Sequence, residues 1–479
     1  MRRHAIVVAA TCLALASRCS SAPAARTCVI APPTADFRLV ADGPAFRDSL
    51  GRVVFLRGVD AGGRSKFAPY VPFDYGSDFD GALAAYMDRA ASWGIDAMRV
   101  PFTWAALEPT QGQDDQSWLA MYDAILDAAW ARGIWTVVDF HQDVYAENFC
   151  GDGFPAWTLT NPPAPHHDCP QWSLEYFSDD DVKAAFDAFW ADGSAVQTAY
   201  FAAWDVMIAR YKDKPGVLGF EAFNEPSSGN ADDATFSATT LSDFYAKFVA
   251  HARALAPTSL VFVDPTGLAG VNLTTTLVRP PGDGVVFAPH FYPLTVAPDA
   301  VEPDMENWTA IGAQWNVPVF VGEFGARNDL PSTPPFMQAH FDAFDALGLS
   351  GTEWEYSVSA DLWNSESDWI VDANGNELPV AQAVIRPFAR AVAGSGITTG
   401  FDTTSSIFTL AYVPASAAGD PTVTTDVTAV SLPARAYPNG YDVALEGGCY
   451  DATSVPGQML LQADPDATDV SLTVTPKGP

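Results

Sequence analysis

The chain has 479 residues, 48% of them hydrophobic and 17% charged, enough for one large domain beside a smaller one. With 25 Lys and Arg against 58 Asp and Glu, the formal charge is −33, which argues against nucleic acid and against electrostatic docking on anionic lipid. After the N-terminal stretch, no run is long and apolar enough to span a bilayer.

The N-terminus reads Met1-Arg-Arg-His, then an apolar run from Ala5 to Ala16, then Ser17-Arg-Cys-Ser-Ser-Ala-Pro-Ala-Ala. A basic start, a short apolar segment and small residues make residues 1–25 a secretion signal, cut near Ala24 or Ala25. Lipidation at Cys19 is the alternative, although Arg18 stands where a small residue is usual. The expectation is therefore a secreted protein, either free or anchored through Cys19. Export permits disulfides among Cys28, Cys150, Cys169 and Cys449. Cys150 and Cys169 bracket one Pro-rich loop, while Cys28 with Cys449 would tie the two ends of the chain. The spacing leaves the pairing open.

Residues 26–36 read as a flexible leader. Phe37 to Gly58 suggests a hairpin with a turn through Asp42-Gly-Pro. Strand-like runs then alternate with helical patterns: Val53–Val59, Ile95–Val100, Trp135–Phe140, Val217–Phe223, Leu260–Val263, Val285–Ala288, Val317–Val321 and Ser350–Trp354. The intervening patterns predict helices around Phe79–Trp93, Ser117–Arg132, Asp181–Tyr211 and Leu241–Leu255. Eight such runs predict an α/β fold, a (β/α)8 TIM barrel over residues 37–394. A doubly wound sheet is disfavoured because no Gly-rich dinucleotide loop follows the first strand. Residues 395–479 turn rich in Thr, Ser, Val, Pro and Gly with short strands, which predicts a small β-sandwich.

In such a barrel the reacting groups sit where strands end. Phe220-Glu-Ala-Phe-Asn-Glu-Pro ends a strand on Asn224 and Glu225, and Val317-Pro-Val-Phe-Val-Gly-Glu ends another on Glu323. Two strand-end carboxylates are what a retaining glycosidase needs, one as acid/base and one as nucleophile. Arg99, His141, His290, Tyr292 and Trp354 end or lie in other strands. Each alone is weak evidence, since a lone strand-end histidine is more often a satisfied core residue.

Together, Arg99, His141, Asn224, Glu225, His290, Tyr292, Glu323 and Trp354 resemble the set of glycoside hydrolase family five, retaining β-glycosidases on (β/α)8 barrels. The segments Asp139-Phe-His-Gln-Asp-Val-Tyr, Asp152-Gly-Phe-Pro-Ala-Trp-Thr, Phe186-Asp-Ala-Phe-Trp and Arg386-Pro-Phe-Ala-Arg-Ala-Val-Ala-Gly resemble its endoglycoceramidase branch, endo-galactosylceramidases included. That resemblance implies release of intact glycans from glycosphingolipids, with Glu225 as acid/base and Glu323 as nucleophile. It implies that Asn224 binds the sugar 2-hydroxyl and that Arg99 and Tyr292 hold Glu323. It also implies that His290 positions Glu225 or Tyr292, that His141 and Trp354 seat the sugar, and that Lys66 and Asp143 add glycan contacts. No metal or organic cofactor is expected; the partner expected is the glycosphingolipid substrate, with no nucleic acid, and the chain is expected to be a monomer.

Glu221, Glu353 and Glu355 read as structural, with strand alternation placing the last two opposite Trp354. His166-His167-Asp168 matches no zinc spacing. Two aromatic loops, Phe67–Tyr75 and Tyr145–Tyr176 with Phe177, have two readings: a shelf for the ceramide with a transient membrane contact, or loops packed on themselves. The competing functions are another family-five specificity (β-glucosylceramidase, cellulase or mannanase) and a non-catalytic glycan- or lipid-binding protein.

Overall fold

The computed structural model describes residues 25–166, 169, 171–358 and 367–478. The expected secretion signal up to Ala24, with Cys19, and His167 and Asp168 lie outside the described residues. Strands β1 (Val40–Asp42) and β2 (Ala45–Arg47) form a hairpin, and β3 (Val53–Val54) pairs back on β2. The chain then enters a parallel barrel through β4 (Arg57–Asp60), β5 (Ala97–Phe102), β6 (Trp135–Phe140), β7 (Val217–Glu221), β8 (Leu260–Val263) and β9 (Val285–Phe287). Short β10 (His290–Phe291), β11 (Phe320–Val321), β12 (Glu323–Phe324) and β13 (Ser350–Glu353) complete it.

Eight strands follow one another in the order β11-β13-β4-β5-β6-β7-β8-β9. The ring closes where Phe287 bridges Val319 and β10 pairs in parallel with β12. Every barrel strand is buried on both faces, outward under helices and inward on the barrel axis, which is why these strands read as near-continuous apolar runs.

The outer helices include Phe79–Trp93, Gln116–Trp130, Ser242–Leu255, Pro298–Trp315 and Thr333–Leu347. The helix expected over Asp181–Tyr211 is in fact two, Asp180–Trp190 and Ala195–Tyr211. Gly193 breaks the first by taking φ +71°, and the Ser194 hydroxyl accepts from the Gln197 N–H to start the second.

β14 (Phe388–Val392), β15 (Gly394–Asp402), β16 (Ile407–Pro414), β17 (Val427–Ser431), β18 (Tyr441–Glu446), β19 (Gly448–Asp451), β20 (Gln458–Ala463) and β21 (Val470–Pro476) build two antiparallel sheets. One runs β1-β2-β3-β14-β17-β20-β19 and the other β15-β16-β21-β18. Their facing sides bury Val392, Met459 and Leu461 against Phe408, Leu410 and Leu472. The outer side of the first sheet packs Phe46, Val54 and Leu460 with Ala97, Trp135, Leu218 and Phe320 from the barrel strands. The sandwich thus seals the N-terminal end of the barrel and leaves the C-terminal mouth open for chemistry.

Two boundaries differ from the compositional reading. The first sheet takes in Val40–Val54 and Phe388–Val392, because these strands carry the apolar face that meets the barrel floor. Part of the expected loose leader is pinned: Thr27 bridges Tyr450, Cys28 is disulfide-bonded to Cys449, and the Ile30 N–H donates to Asp451 Oδ2 at 3.0 Å. Cys150 and Cys169 form the second disulfide. Beneath the barrel, Asp345 joins Arg57 of β4 at 3.0 Å to Arg386 at 2.9 Å, so the Arg386-Pro-Phe segment anchors one domain on the other.

Candidate active site

Register brings the acids and bases together. β10 and β12 pair His290 directly with Glu323, and β4 and β5 pair Asp60 with Arg99. Arg99 is fully buried. Its Nη1 donates to Glu323 Oε1 at 2.6 Å and Nη2 to Asn224 Oδ1 at 2.8 Å, while Nε and Nη2 grip both oxygens of Glu221 at 2.8 Å. Asp60 and Asp139 stand 3.3 and 3.1 Å from the same guanidinium.

The second oxygen of Glu323 accepts from the Tyr292 hydroxyl at 3.0 Å. Burial alone raises a carboxyl; here His290, Arg99, His141 and Lys66 outweigh it and hold Glu323 down to about 2. Glu323 is therefore an ionised group with its lone pairs oriented.

Glu225 is set differently. It is the more open of the two carboxylates, and its backbone lies in the left-handed region at φ +42°, uncommon for a residue with a side chain. Asp264, just past the end of β8, accepts the Glu225 N–H at 2.8 Å and so holds that turn. His290 Nδ1 lies 2.9 Å from Glu225 Oε1 and 3.5 Å from Glu323 Oε2. Burial works against charge on His290, but Asp264, Glu323 and Glu225 outweigh it and raise the imidazole well above its ordinary value. One oxygen from each of Glu225 and Glu323 and a ring nitrogen of His290 all lie within 4.8 Å of one another.

A second group adjoins. His141 Nδ1 meets Asp139 Oδ2 at 2.8 Å, and its ring stacks on Trp354 with centroids 5.2 Å apart. Burial and Lys66 push His141 down, yet Asp139 and Asp143 outweigh them and hold it up to about 10. Lys66 ion-pairs with Asp143 and stands 4.4 Å from the Trp354 ring centre. All the residues singled out at strand ends, with Lys66 and Asp143, thus converge on one mouth.

The sequence reading missed several neighbours. Asp60, Asp139 and Asp264 were not singled out, and Glu221 lies in the barrel interior under Arg99. Gln142 donates from Nε2 to the carbonyls of Asn224 and Glu225 at 3.0 and 3.1 Å and so braces that turn. Glu355 does not follow the alternation expected of it, because β13 stops at Glu353. Glu355 turns under the first loop and accepts from the Gly63 N–H and the Ser357 hydroxyl. A Cβ on Gly62 would stand 1.5 Å from Glu355 Oε2, so only glycine fits there.

The aromatic loops are mostly packed inward. Phe73, Phe149 and Phe154 are buried, and Trp157 meets Trp104 edge-on at 5.0 Å. Of the exposed large apolar residues, Leu174 and Phe177 of the second aromatic loop follow β6, Leu294 follows β10 and Leu330 follows β12, 53%, 62%, 89% and 37% exposed, so they lie in loops on the mouth side of the barrel. His166 lies beside Cys150 and Cys169, but those sulfurs are joined in the disulfide and offer no thiolate.

A parallel barrel with two unlike carboxylates facing each other at its C-terminal mouth defines a glycoside hydrolase. Residues 59–359 match the sequence profile "Cellulase (glycosyl hydrolase family 5)", and 386–475 match "Glycoside hydrolase family 5 C-terminal domain". The chain belongs to glycoside hydrolase family 5. It is 26% identical over 464 residues to endoglycoceramidase I of Rhodococcus hoagii, covering 91% of this chain and 88% of that one. A glucosylceramidase of Aspergillus fumigatus is 34% identical over 140 residues, 26% of this chain and 18% of that protein. The structure of endo-glycoceramidase II from Rhodococcus sp. with a five-membered iminocyclitol superposes with a TM-score of 0.75 at 25% identity, over 90% of this chain and 99% of that one.

Proposed function

We propose that this enzyme is a secreted, retaining endo-β-glycosidase that hydrolyses the bond between glycan and ceramide in glycosphingolipids, with Glu323 as nucleophile and Glu225 as acid/base. The carrying observation is the separation of the two carboxylates: oxygens within 4.8 Å leave no room for a water between them and the sugar, as inversion requires.

In the first step Glu323 attacks the anomeric carbon, the bond to the ceramide oxygen breaks, and Glu225 gives that oxygen its proton. Forming the ester removes the charge of Glu323, and the Arg99 and Tyr292 hydrogen bonds to it weaken. Glu225, now ionised, takes a proton from water, whose oxygen attacks the same carbon and frees Glu323. Two inversions give net retention. Asn224 has its Oδ1 fixed by Arg99 and one amide hydrogen on the Gln142 carbonyl, leaving the other for the sugar 2-hydroxyl. His141 and Trp354 seat the reacting sugar, and Lys66 with Asp143 bind the next one.

The substrate class rests on the end-to-end likeness to an endoglycoceramidase, which outweighs the shorter match to a glucosylceramidase. The rim of Leu174, Phe177, Leu294 and Leu330 supports a transient contact with lipid around the mouth. Export rests on the signal-like N-terminus and agrees with two disulfides.

The test is mass spectrometry of products from a mixed glycosphingolipid pool, beside a Glu323→Gln control. Intact glycans plus ceramide, absent in the control, support the assignment. Release of glucose from glucosylceramide alone supports a glucosylceramidase, and cleavage of β-glucan or mannan alone overturns the substrate.

A further inference from the structure

Asp264 has no place in the reaction as described, yet it is buried and touches Glu225 from two sides through one atom. Its Oδ2 accepts the Glu225 N–H at 2.8 Å and lies 3.4 Å from His290 Nε2. The other ring nitrogen of His290 meets Glu225 Oε1 at 2.9 Å. Asp264 is itself immobilised, since the Tyr245 hydroxyl donates to its carbonyl oxygen at 2.6 Å. The acid/base side chain and its strained backbone therefore share one anchor.

We propose that Asp264 is a positioning residue for the Glu225 carboxyl: it clamps the left-handed turn and, through His290, keeps a hydrogen on the nitrogen that faces Glu225. This rests on reading Glu225 as the acid/base. Asp264 Oδ2 faces His290 Nε2 at ion-pair distance, 3.4 Å; burial pushes the Asp264 carboxyl up and His290 pulls it back. The negative charge beside Nε2 favours the charged form of His290, in which Nδ1 carries a hydrogen that is donated to Oε1. Oε2 of Glu225 is then the oxygen that delivers and recovers the catalytic proton. The other charged groups facing this pair are Glu221, from β7, Asp60, from β4, and Glu323, with Arg99 behind them.

Asp264→Asn keeps an acceptor for the Glu225 N–H and removes the charge. His290 then sheds its second proton at lower pH; a neutral His290 accepts from Glu225 and turns the acid proton away from the leaving oxygen. The experiment compares soluble β-lactosides carrying a dinitrophenyl or an alkyl leaving group, since only the second needs a proton to depart. Glu225→Gln is the reference: it must keep dinitrophenyl release in the first turnover, lose alkyl cleavage and be rescued by azide. For Asp264→Asn the expected result is a loss of about tenfold or more in kcat/KM on the alkyl lactoside, little change on the dinitrophenyl one, and a basic limb moved to lower pH. Equal losses on both substrates with an unmoved limb, beside a Glu225→Gln that behaves as stated, overturn the role of Asp264 alone. A Glu225→Gln without that pattern overturns the acid/base assignment and this inference with it. Should Asp264→Asn fail to fold, nitrogen-15 histidine NMR of the wild-type enzyme decides: a His290 Nδ1 without its hydrogen at the working pH overturns the proposal.

Discussion

Arg99 Nη1 lies 2.6 Å from Glu323 Oε1 while the far edge of the same guanidinium is forked onto Glu221. One buried cation thus orients the proposed nucleophile and neutralises the interior acids. Lysine at this position reaches one acid and abandons the fork. Arg99→Lys is expected to lower kcat/KM by about 10²–10³-fold, the scale of losing a preorganised electrostatic contact at the reacting centre. It also leaves buried carboxylates poorly paired, for about 3–5 kcal/mol of stability. Kinetics on a soluble aryl lactoside and a denaturant melt check both, and a variant with full stability and full activity defeats the account.

The depressed Glu323 carboxyl sets an acid limit. Its folded value of about 2 lies below the ordinary 4.5, so the group contributes stability that is present above 4.5 and lost as pH falls through about 2. The acidic limb of kcat/KM is accordingly expected below pH 4.5. Lys66→Met removes one of the charges holding Glu323 down and is expected to raise that limb by about half a unit. A wild-type limb near pH 6 would sink the electrostatic assignment.

The legible part of the site was the part carried by strand ends. Glu225, His290 and Glu323 each follow an apolar run, and although any one such residue has a bland reading, several polar residues ending successive barrel strands do not. The illegible part depended on register. Asp139 faces Glu221 and Asp60 faces Arg99 only because neighbouring strands are offset as they are, and one sequence carries no record of that offset. The loop aromatics left two readings open for a related reason. Phe73 and Phe149 follow barrel strands as a lipid shelf would, but loop closure turned them inward, while Leu294 and Leu330 carried no pattern at all.

His340 offers a stability test far from the chemistry. It is buried, its ring stacks on Phe324 at 4.6 Å, and its Nδ1 donates to the Phe336 carbonyl at 2.8 Å. Burial depresses the imidazole from 6.5 to about 3, the backbone bond offsetting only part of this. The folded state therefore excludes a proton that the unfolded state takes up. Its contribution is full above pH 6.5 and falls by up to about 1.4 kcal/mol per unit towards pH 3. His340→Leu is expected to lose less stability than the wild type between pH 7 and pH 4, by denaturant melts at each pH. Parallel curves for the two proteins argue against a neutral buried His340.

The two disulfides close loops of unequal length, spanning 421 and 19 residues. Loop-closure entropy then makes the first the larger constraint, about 6 kcal/mol against about 3, where strain is small. Cys28→Ser with Cys449→Ser is expected to lower the melting temperature more than Cys150→Ser with Cys169→Ser. The second pair borders the mouth, so its loss is expected to affect KM for the glycolipid first. Thermal melts of both double variants settle the order, and a reversed order means that loop length is not the governing term.

The apolar rim gives the clearest separation of substrate form from chemistry. Phe177 and Leu294 are 62% and 89% exposed, so replacing them with Ser disturbs little folded packing. Each side chain sunk in lipid contributes about 1–2 kcal/mol, so the double variant is expected to bind neutral glycolipid vesicles about tenfold or more weakly. Activity on vesicle-borne substrate should fall with binding, while kcat/KM on a soluble aryl lactoside stays as it was. With a formal charge of −33 the protein gains nothing from anionic lipid, so the binding is expected to persist at high salt. Vesicle sedimentation beside both activity assays tests this, and equal loss on the soluble and the vesicle substrate assigns these residues to the active site instead of the lipid contact.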